Sequence, residues 1–503
     1  MAATLAIVNT DICTMDPRRP RATAIAMTGR VIEAIGSDAE IQELCDARTE
    51  VVNGAGWVLT PGFNDGHMHL LFGGELGRGL DFDRVADLDA VRSKVSEALK
   101  DGKPDTWLTG YALEYSALNG HAYHHSMLDS ITGAQPVLVW AFDLHTAFVN
   151  AAALHRAGIT GSRDFLDGSR IVCDEDGKPT GKLQERSAVQ LVLDVMPEPT
   201  PAERRNWYVD AVHRLNQAGF TSIHQMDGDP DTIATFQDLD ENGDLTLHCA
   251  IHSSLAAESP AEYVDELLVK SPQRGRNWRA DGVKFWLDGV IETGTAWLEH
   301  PDSEGDGTAP RWPSVEHYAT LVRRCHAAGY RIATHAIGDR AVRAALDVYQ
   351  ALPSAGGQQH RIEHIETAPD STMSRFRSEG VVASMQPVHL RWLKPDLSDP
   401  FSSRLDSDQC AHAMRSGDLA ADGALVVLGS DWPVAPFDPR IGMYSAQLRR
   451  SPDASDPRPI GASKPLSGLE ALAGFGVPPL RRTPGFMPRA VARDGSAVLL
   501  PRG

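Results

Sequence analysis

The sequence predicts an α/β protein: a (β/α)8 TIM barrel of parallel strands with a large insertion, and a small β module assembled from both chain ends. Three observations point there. From about residue 205 onward, short apolar runs alternate with amphipathic helical segments. Four segments in fixed order close such runs with a side chain able to bind a metal. Both termini instead show short β-rich runs broken by glycine and turn signals.

Residues 4–60 read LAIVN, ATAIAMTG, RVIEAIG and EVVNGAGWVLTPG, punctuated by Gly29, Gly36, Gly54 and Gly56, which predicts an antiparallel hairpin module. AVARDGSAVLLP near 490–501 has the same character, with Asp494-Gly495 as a hairpin turn. Residues 1–60 and 481–503 are therefore assigned to one β domain, and residues 61–480 to a barrel inserted between them. The first barrel strand ends in PGFNDGHMHL. FTSIHQM, TLHCAIHS, GVKFWLD, YRIATHA, HRIEHI, VVASMQP and LVVLGSD follow, making eight. Helical segments such as NWYVDAVHRLNQAG and DRAVRAALDVYQAL separate several of them. Residues 75–205 interrupt the barrel after its first strand. Loops after barrel strands build the active-site face, so this insertion is expected to cover the site and shape the substrate pocket. Residues 299–313, polar and rich in glycine and proline, read as a mobile loop on that face.

Composition narrows the partners. A net charge of −19 with no basic stretch to offset it argues against nucleic acid and anionic membranes. Apolar runs are too short to span a bilayer. The N-terminus lacks a basic region followed by a long apolar core, so no secretory signal is expected. Six cysteines lie far apart without paired spacing, as reduced thiols of a cytoplasmic protein would.

The chemistry lies at the strand ends. His67 and His69 are two apart on a strand, so both imidazoles face one side and can reach one ion. Lys284 is less obvious, because an ammonium with a pKa near 10.4 repels a cation. Buried between metals, it can lose its proton and capture CO2 as a bridging carbamate. Its structural alternative is pairing with Asp281 or Asp288. His335 in IATHAIGD and His364 in RIEHIE close consecutive strands. Asp431 ends VVLGSD, where it could cap a turn or touch a metal and take a proton from water. Imidazoles, a lysine and a carboxylate from successive strand ends suit a metal at a barrel mouth, and such a metal makes hydroxide from water. The chain reads as a metal-dependent hydrolase of a small molecule. His145, Trp286, Gln386, His389 and Trp432 are the candidate substrate-binding residues. A buried hydrogen-bonding pair explains His145 and Asn150 nearly as well.

PGFNDGHMHL, DLHTAFVNAAAL, GVKFWLDG, THAIGDRAV, RIEH, SMQP and GSDWPV, in this order, resemble the amidohydrolase superfamily, in the branch that includes N-substituted formamide deformylase. That resemblance implies a distorted barrel, a β-sandwich from both chain ends, and one or two divalent metals, usually zinc. It also implies hydrolysis of amide or related C–N bonds, and a homodimer. By position, His67, His69 and Asp431 would hold one metal, and Lys284, as N6-carboxylysine, with His335 and His364 would complete a second. Two departures stand out. A short Pro/Arg-rich tail follows Gly474 in place of a Gly-rich segment and a final strand. Asn9-Thr10 replaces an Asn-Gly turn.

Free water has a pKa of 15.7 and zinc-bound water can reach about 7, a gain on the order of 12 kcal/mol towards a nucleophile. Asp431 is expected to accept the proton and return it to the leaving nitrogen, with one histidine, His335, and the metal stabilising the oxyanion. Lactone or ester hydrolysis, ring deamination and decarboxylation are the competing chemistries on the same residues. A non-catalytic barrel would have lost ligands, and none is lost.

Overall fold

The computed structural model describes residues 2–29, 31–100, 106–165, 169–270, 272–353, 358–476 and 499–500. Eight parallel strands follow one another in chain order. They are β1 (Phe63–Met68), β2 (Phe220–Gly228), β3 (His248–Leu255), β4 (Trp278–Trp286), β5 (Arg331–Ala336), β6 (Arg361–His364), β7 (Val382–Met385) and β8 (Val426–Leu428). Each of the eight apolar runs picked out in the sequence forms one of them. Parallel neighbours need a crossover, and helices Pro230–Glu241, Ala261–Lys270, Val315–Ala327, Asp339–Gln350 and Asp370–Glu379 supply those after β2 to β6. Their starts are set locally: the Asp229 side chain accepts from the Thr232 amide, and Ser314 from that of His317. Asp339–Gln350 buries Ala341, Val342, Ala345 and Leu346, a three-and-four spacing that turns one stripe to the sheet.

This is a distorted TIM barrel, and the distortion lies where the ends of the sheet meet. Among the described residues β1 and β8 share no ladder. Single bonds join them instead: Asp431 N–H donates to His67 O at 2.7 Å, and His69 N–H to Trp432 O at 2.8 Å. Ser430 N–H adds a bond to Asp65 Oδ1 at 3.0 Å. Close approach here depends on glycine. A Cβ at Gly429 would lie 2.5 Å from His67 N, and one at Gly66 would lie 2.8 Å from Leu428 O.

Two small sheets come from the chain ends. One contains Leu5–Val8, Ala24–Thr28, Val31–Gly36 and Glu50–Asn53; the other contains Asp11–Cys13, Arg21–Ala22, Val58–Leu59 and Leu499–Leu500. Ile7, Ile25 and Met27 of the first share a buried cluster with Ile12 of the second, so the two pack as a sandwich. The expected all-antiparallel module is corrected in two pairings. Glu50–Asn53 runs parallel to Leu5–Val8, and Val58–Leu59 parallel to Asp11–Cys13. A capped helix, Asp38–Gln42, makes the crossover where hairpins alone were expected. The predicted turn Asp494-Gly495 and most of 481–503 lie outside the described residues.

Residues 70–211 with 433–435 form a second compact unit. Its six-stranded sheet runs Arg170–Cys173, Pro179–Gln184, Thr146–Val149, Val137–Ala141, Leu108–Leu113, Leu80–Asp81. Val137 and Val139 join the core on one face, with Phe82 and Phe148, while Leu138 joins Leu183 and Val192 on the other. That is the alternation of a strand buried on both sides.

Residues 299–313 are tied down, contrary to the mobile loop expected from composition. Arg404 pairs with Asp302, with Glu304 at 2.8 Å and with Asp306 at 3.3 Å. The buried Trp312 donates its Nε1 proton to Trp286 O at 2.8 Å. No helix among the described residues is long and apolar enough to cross a membrane, and the six cysteines are free thiols.

Candidate metal centre

Donor atoms of His67, His69 and Asp431 lie within 4.8 Å of one another. Alternation along β1 puts Asp65, His67 and His69 on one face. Asp65 Oδ1 accepts the His67 N–H at 3.0 Å, which stiffens the strand end beneath the imidazole. Asp431 follows β8 in the left-handed region, with φ 59°. Its Oδ1 lies 3.3 Å from His67 Nε2 and 3.1 Å from His69 Nε2. Its Oδ2 faces His364 Nδ1 at 4.0 Å and His389 Nε2 at 3.8 Å.

His364 reaches this cluster against the period of its strand. Arg361 and Glu363 take the inward positions of β6, so a regular strand would turn His364 away. A φ of 74° at His364, followed by 53° at Ile365, brings the imidazole in. Such strain costs on the order of 1–3 kcal/mol and persists where the surroundings enforce it.

Lys284, on β4, is 1% exposed, with Nζ 3.4 Å from His67 Nε2 and 5.5 Å from the centre of the Trp286 ring. Among the described residues it has no carboxylate within ion-pair distance. The structural alternative for it is not what forms: Asp281 pairs with Arg279 and Arg331, and Asp288 accepts the N–H groups of Trp297, Ile337 and Gly338. His335 stands beside His364, ring centres 4.4 Å apart, with its Nε2 3.0 Å from Gly289 O.

Burial and charge compete throughout. Burial would depress the His69 imidazole, but the carboxylates of Asp227 and Asp431 outweigh it and hold the group at about 10. Burial would raise Asp431, yet His67 and His69 keep it well below the usual carboxylate range. His364 is driven well below the ordinary imidazole value by burial and by the neighbouring His335 and His67. Burial lowers Lys284 to about 8, partly opposed by Glu363 and Asp431.

Among the predicted substrate residues, Gln386 and His389 follow β7 and are buried. His389 Nδ1 lies 3.4 Å from Glu366 Oε1, and the Trp392 ring packs on its imidazole. Trp286 ends β4. Trp432 is buried, its ring against Phe437 and near Arg214. His145 belongs to the inserted unit, 3.1 Å from Glu185. Asn150 is structural there: it caps helix Ala151–Arg156 and bonds Val137, Thr132 and Gln135. Sequence reasoning missed Glu363, Arg361, Asp227 and Glu366. For Glu363 the signal was available, a carboxylate inside the apolar run HRIEHI.

A sequence profile of the amidohydrolase family matches residues 50–475. The chain belongs to the amidohydrolase family. Membership supports hydrolysis as its chemistry. Protein LONG AFTER FAR-RED 3 of Arabidopsis thaliana is 28% identical over 90% of this chain and 79% of its own length. N-substituted formamide deformylase of Arthrobacter pascens is 23% identical over 94% and 88%. The crystal structure of an uncharacterized metal-dependent hydrolase from Pyrococcus horikoshii OT3 shares the fold, with a TM-score of 0.73 at 21% identity over 94% of this chain and 91% of that one.

In this amidohydrolase the donor set suits a divalent metal. His364 Nδ1, His389 Nε2 and both polar atoms of Gln386 are buried without a hydrogen-bond partner among the described residues. Buried unpaired polar atoms are costly, and they call for an occupant. Imidazole nitrogens around an ionised carboxylate are an N/O set of the kind zinc takes.

Proposed function

We propose that the chain is a metal-dependent hydrolase cleaving a C–N bond of a small molecule: an amide, a formamide or a cyclic amide. The convergence of His67, His69 and Asp431 on one point, with His364 Nδ1 beside it, carries this reading. Those three residues would hold one cation, zinc by its donor set. Lys284, as N6-carboxylysine, His335 and His364 would hold a second. A bound divalent cation supplies Lewis acidity, which lowers the pKa of water from 15.7 to about 7.

The chain's own groups do the rest. Asp431, ionised and buried, accepts a proton from water and returns it to the leaving nitrogen. The Nε2–H of His335 is committed to Gly289 O, so in the neutral ring Nδ1 is the nitrogen that carries the lone pair. That supports His335 as a ligand through Nδ1 in preference to the oxyanion donor expected from sequence. Similarity to an N-substituted formamide deformylase supports the choice of a C–N bond.

The test is a panel of N-substituted formamides, N-acyl amines, cyclic amides, lactones and esters, with full-length protein loaded with zinc. Amide hydrolysis abolished by a chelator and restored by metal is the expected result. Turnover confined to lactones or esters overturns the bond assignment. No turnover with zinc, manganese, iron or cobalt overturns metal-dependent hydrolysis.

A further inference from the structure

His67 carries a second contact that its role as a ligand does not require. Across the barrel interior, Glu363 Oε2 on β6 lies 2.7 Å from His67 Nδ1, both groups buried. An ionised carboxylate only accepts, so Nδ1 bears the proton, and in the neutral ring Nε2 is the nitrogen left with the lone pair. That Nε2 is the atom facing Lys284 Nζ at 3.4 Å and Asp431 Oδ1 at 3.3 Å.

Glu363 is itself held. Arg361 donates through Nε to Oε1 and through Nη2 to Oε2 at 2.8 Å. The same Nη2 reaches Gly66 O and Ser384 Oγ, each at 2.6 Å, and Nη1 lies 3.1 Å from His224 Nδ1. Arg361 therefore anchors the carboxylate to the backbone one residue before His67. His69 has a looser counterpart in Asp227, 3.2 Å from its Nδ1 but with a side chain 32% exposed. A buried ion pair contributes little net stability, because desolvation offsets its Coulomb attraction. A carboxylate behind a ligating histidine, by contrast, fixes its tautomer and direction, and losing one typically costs 10–100-fold in metal affinity or activity.

We propose that Glu363, clamped by Arg361, is the positioning residue that fixes the tautomer of His67 and aims its Nε2 into the metal centre. This rests on the metal-dependent reading above.

Two measurements on the full chain test it. Zinc affinity is measured by competition with a chromophoric chelator, for Glu363→Gln, Glu363→Ala and the control Ser384→Ala, which removes an Arg361 partner but spares the His67 contact. The Glu363 variants should bind about 10–100-fold more weakly, and the control within about threefold of the parent. A folded Glu363→Gln protein with parental affinity overturns the proposal. Nitrogen-15 histidine NMR of the unsubstituted, metal-free chain, with the His67 signal assigned from its loss in His67→Gln, reads the tautomer directly. A proton on Nδ1 supports the proposal, and one on Nε2 alone overturns it, even where no Glu363 variant folds. Parental protein that binds no cation refutes the metal reading, and the tautomer then decides the positioning role separately.

Discussion

Asp431 meets His67 twice: its backbone N–H donates to His67 O at 2.7 Å, and its Oδ1 lies 3.3 Å from His67 Nε2. One contact closes the barrel between β8 and β1; the other places a carboxylate against an imidazole. Because the backbone fixes the side chain's position, Asp431→Asn should fold normally and retain most of its metal. An amide cannot take up the proton, so kcat should fall by about 10²–10⁴-fold. Turnover at the parental rate in a metal-loaded Asn variant would remove Asp431 from the mechanism.

Lys284 should carboxylate only as its ammonium deprotonates. The amine attacks CO2 and a proton leaves, so neutral lysine is the reactant. With the group at about 8, roughly a tenth is neutral at pH 7, against about 0.04% for a lysine at 10.4. The folded value lies below the ordinary one, so the reactive form grows as pH rises through about 8. Metal-free protein given bicarbonate labelled with carbon-13 should show a carbamate signal that strengthens from pH 6.5 to about pH 8.5. Lys284→Arg should show none at any pH.

The ligand candidates could be found in the sequence because each joins an apolar run to polar chemistry at its end, and the period of two shows which neighbours share a face. That period failed at β6. It assigns Arg361 and Glu363 to one side and His364 to the other, and only the left-handed backbone at His364 reconciles them. Single-residue backbone reversals leave no mark on hydrophobic patterning. The stretch 299–313 misled for another reason: its carboxylates look solvated until Arg404 is brought to them, 100 residues from Glu304. Asp227 was likewise hidden, because it finds His69 at the end of a different strand.

Gly429→Ala should damage the centre without replacing a ligand. The added methyl would sit 2.5 Å from His67 N and 2.9 Å from His67 Cβ, both parts of the backbone-fixed strand end. β8 and β1 must separate to admit it. Overpacking of this kind costs about 1–3 kcal/mol, so the melting temperature should drop and zinc affinity should fall with it. An Ala variant with parental melting temperature and affinity would show that the junction between β8 and β1 can give.

Below the barrel strands, His360 and His326 form a chain whose proton positions are determined. Ile332 N–H donates to His360 Nδ1 at 3.0 Å. His360 must then donate from Nε2 to His326 Nδ1 at 2.9 Å, and His326 from Nε2 to Pro353 O at 3.0 Å. A proton on His360 Nδ1 would face the Ile332 N–H, and burial and the neighbouring His326 accordingly lower this imidazole to about 4. The folded value lies below the unfolded one of about 6.5, so the neutral form is the stabilised one. Its contribution is complete above about 6.5 and is lost as pH falls through 6.5 towards 4, about 2 kcal/mol of it between pH 7 and pH 5. Denaturant unfolding of metal-free protein should therefore show a steep loss of stability over that interval. His360→Asn keeps an acceptor for Ile332 but cannot titrate, so its loss should be smaller by about that amount. Equal pH dependence in both proteins would mean that Ile332, at the start of the strand bearing His335, does not depend on a neutral His360.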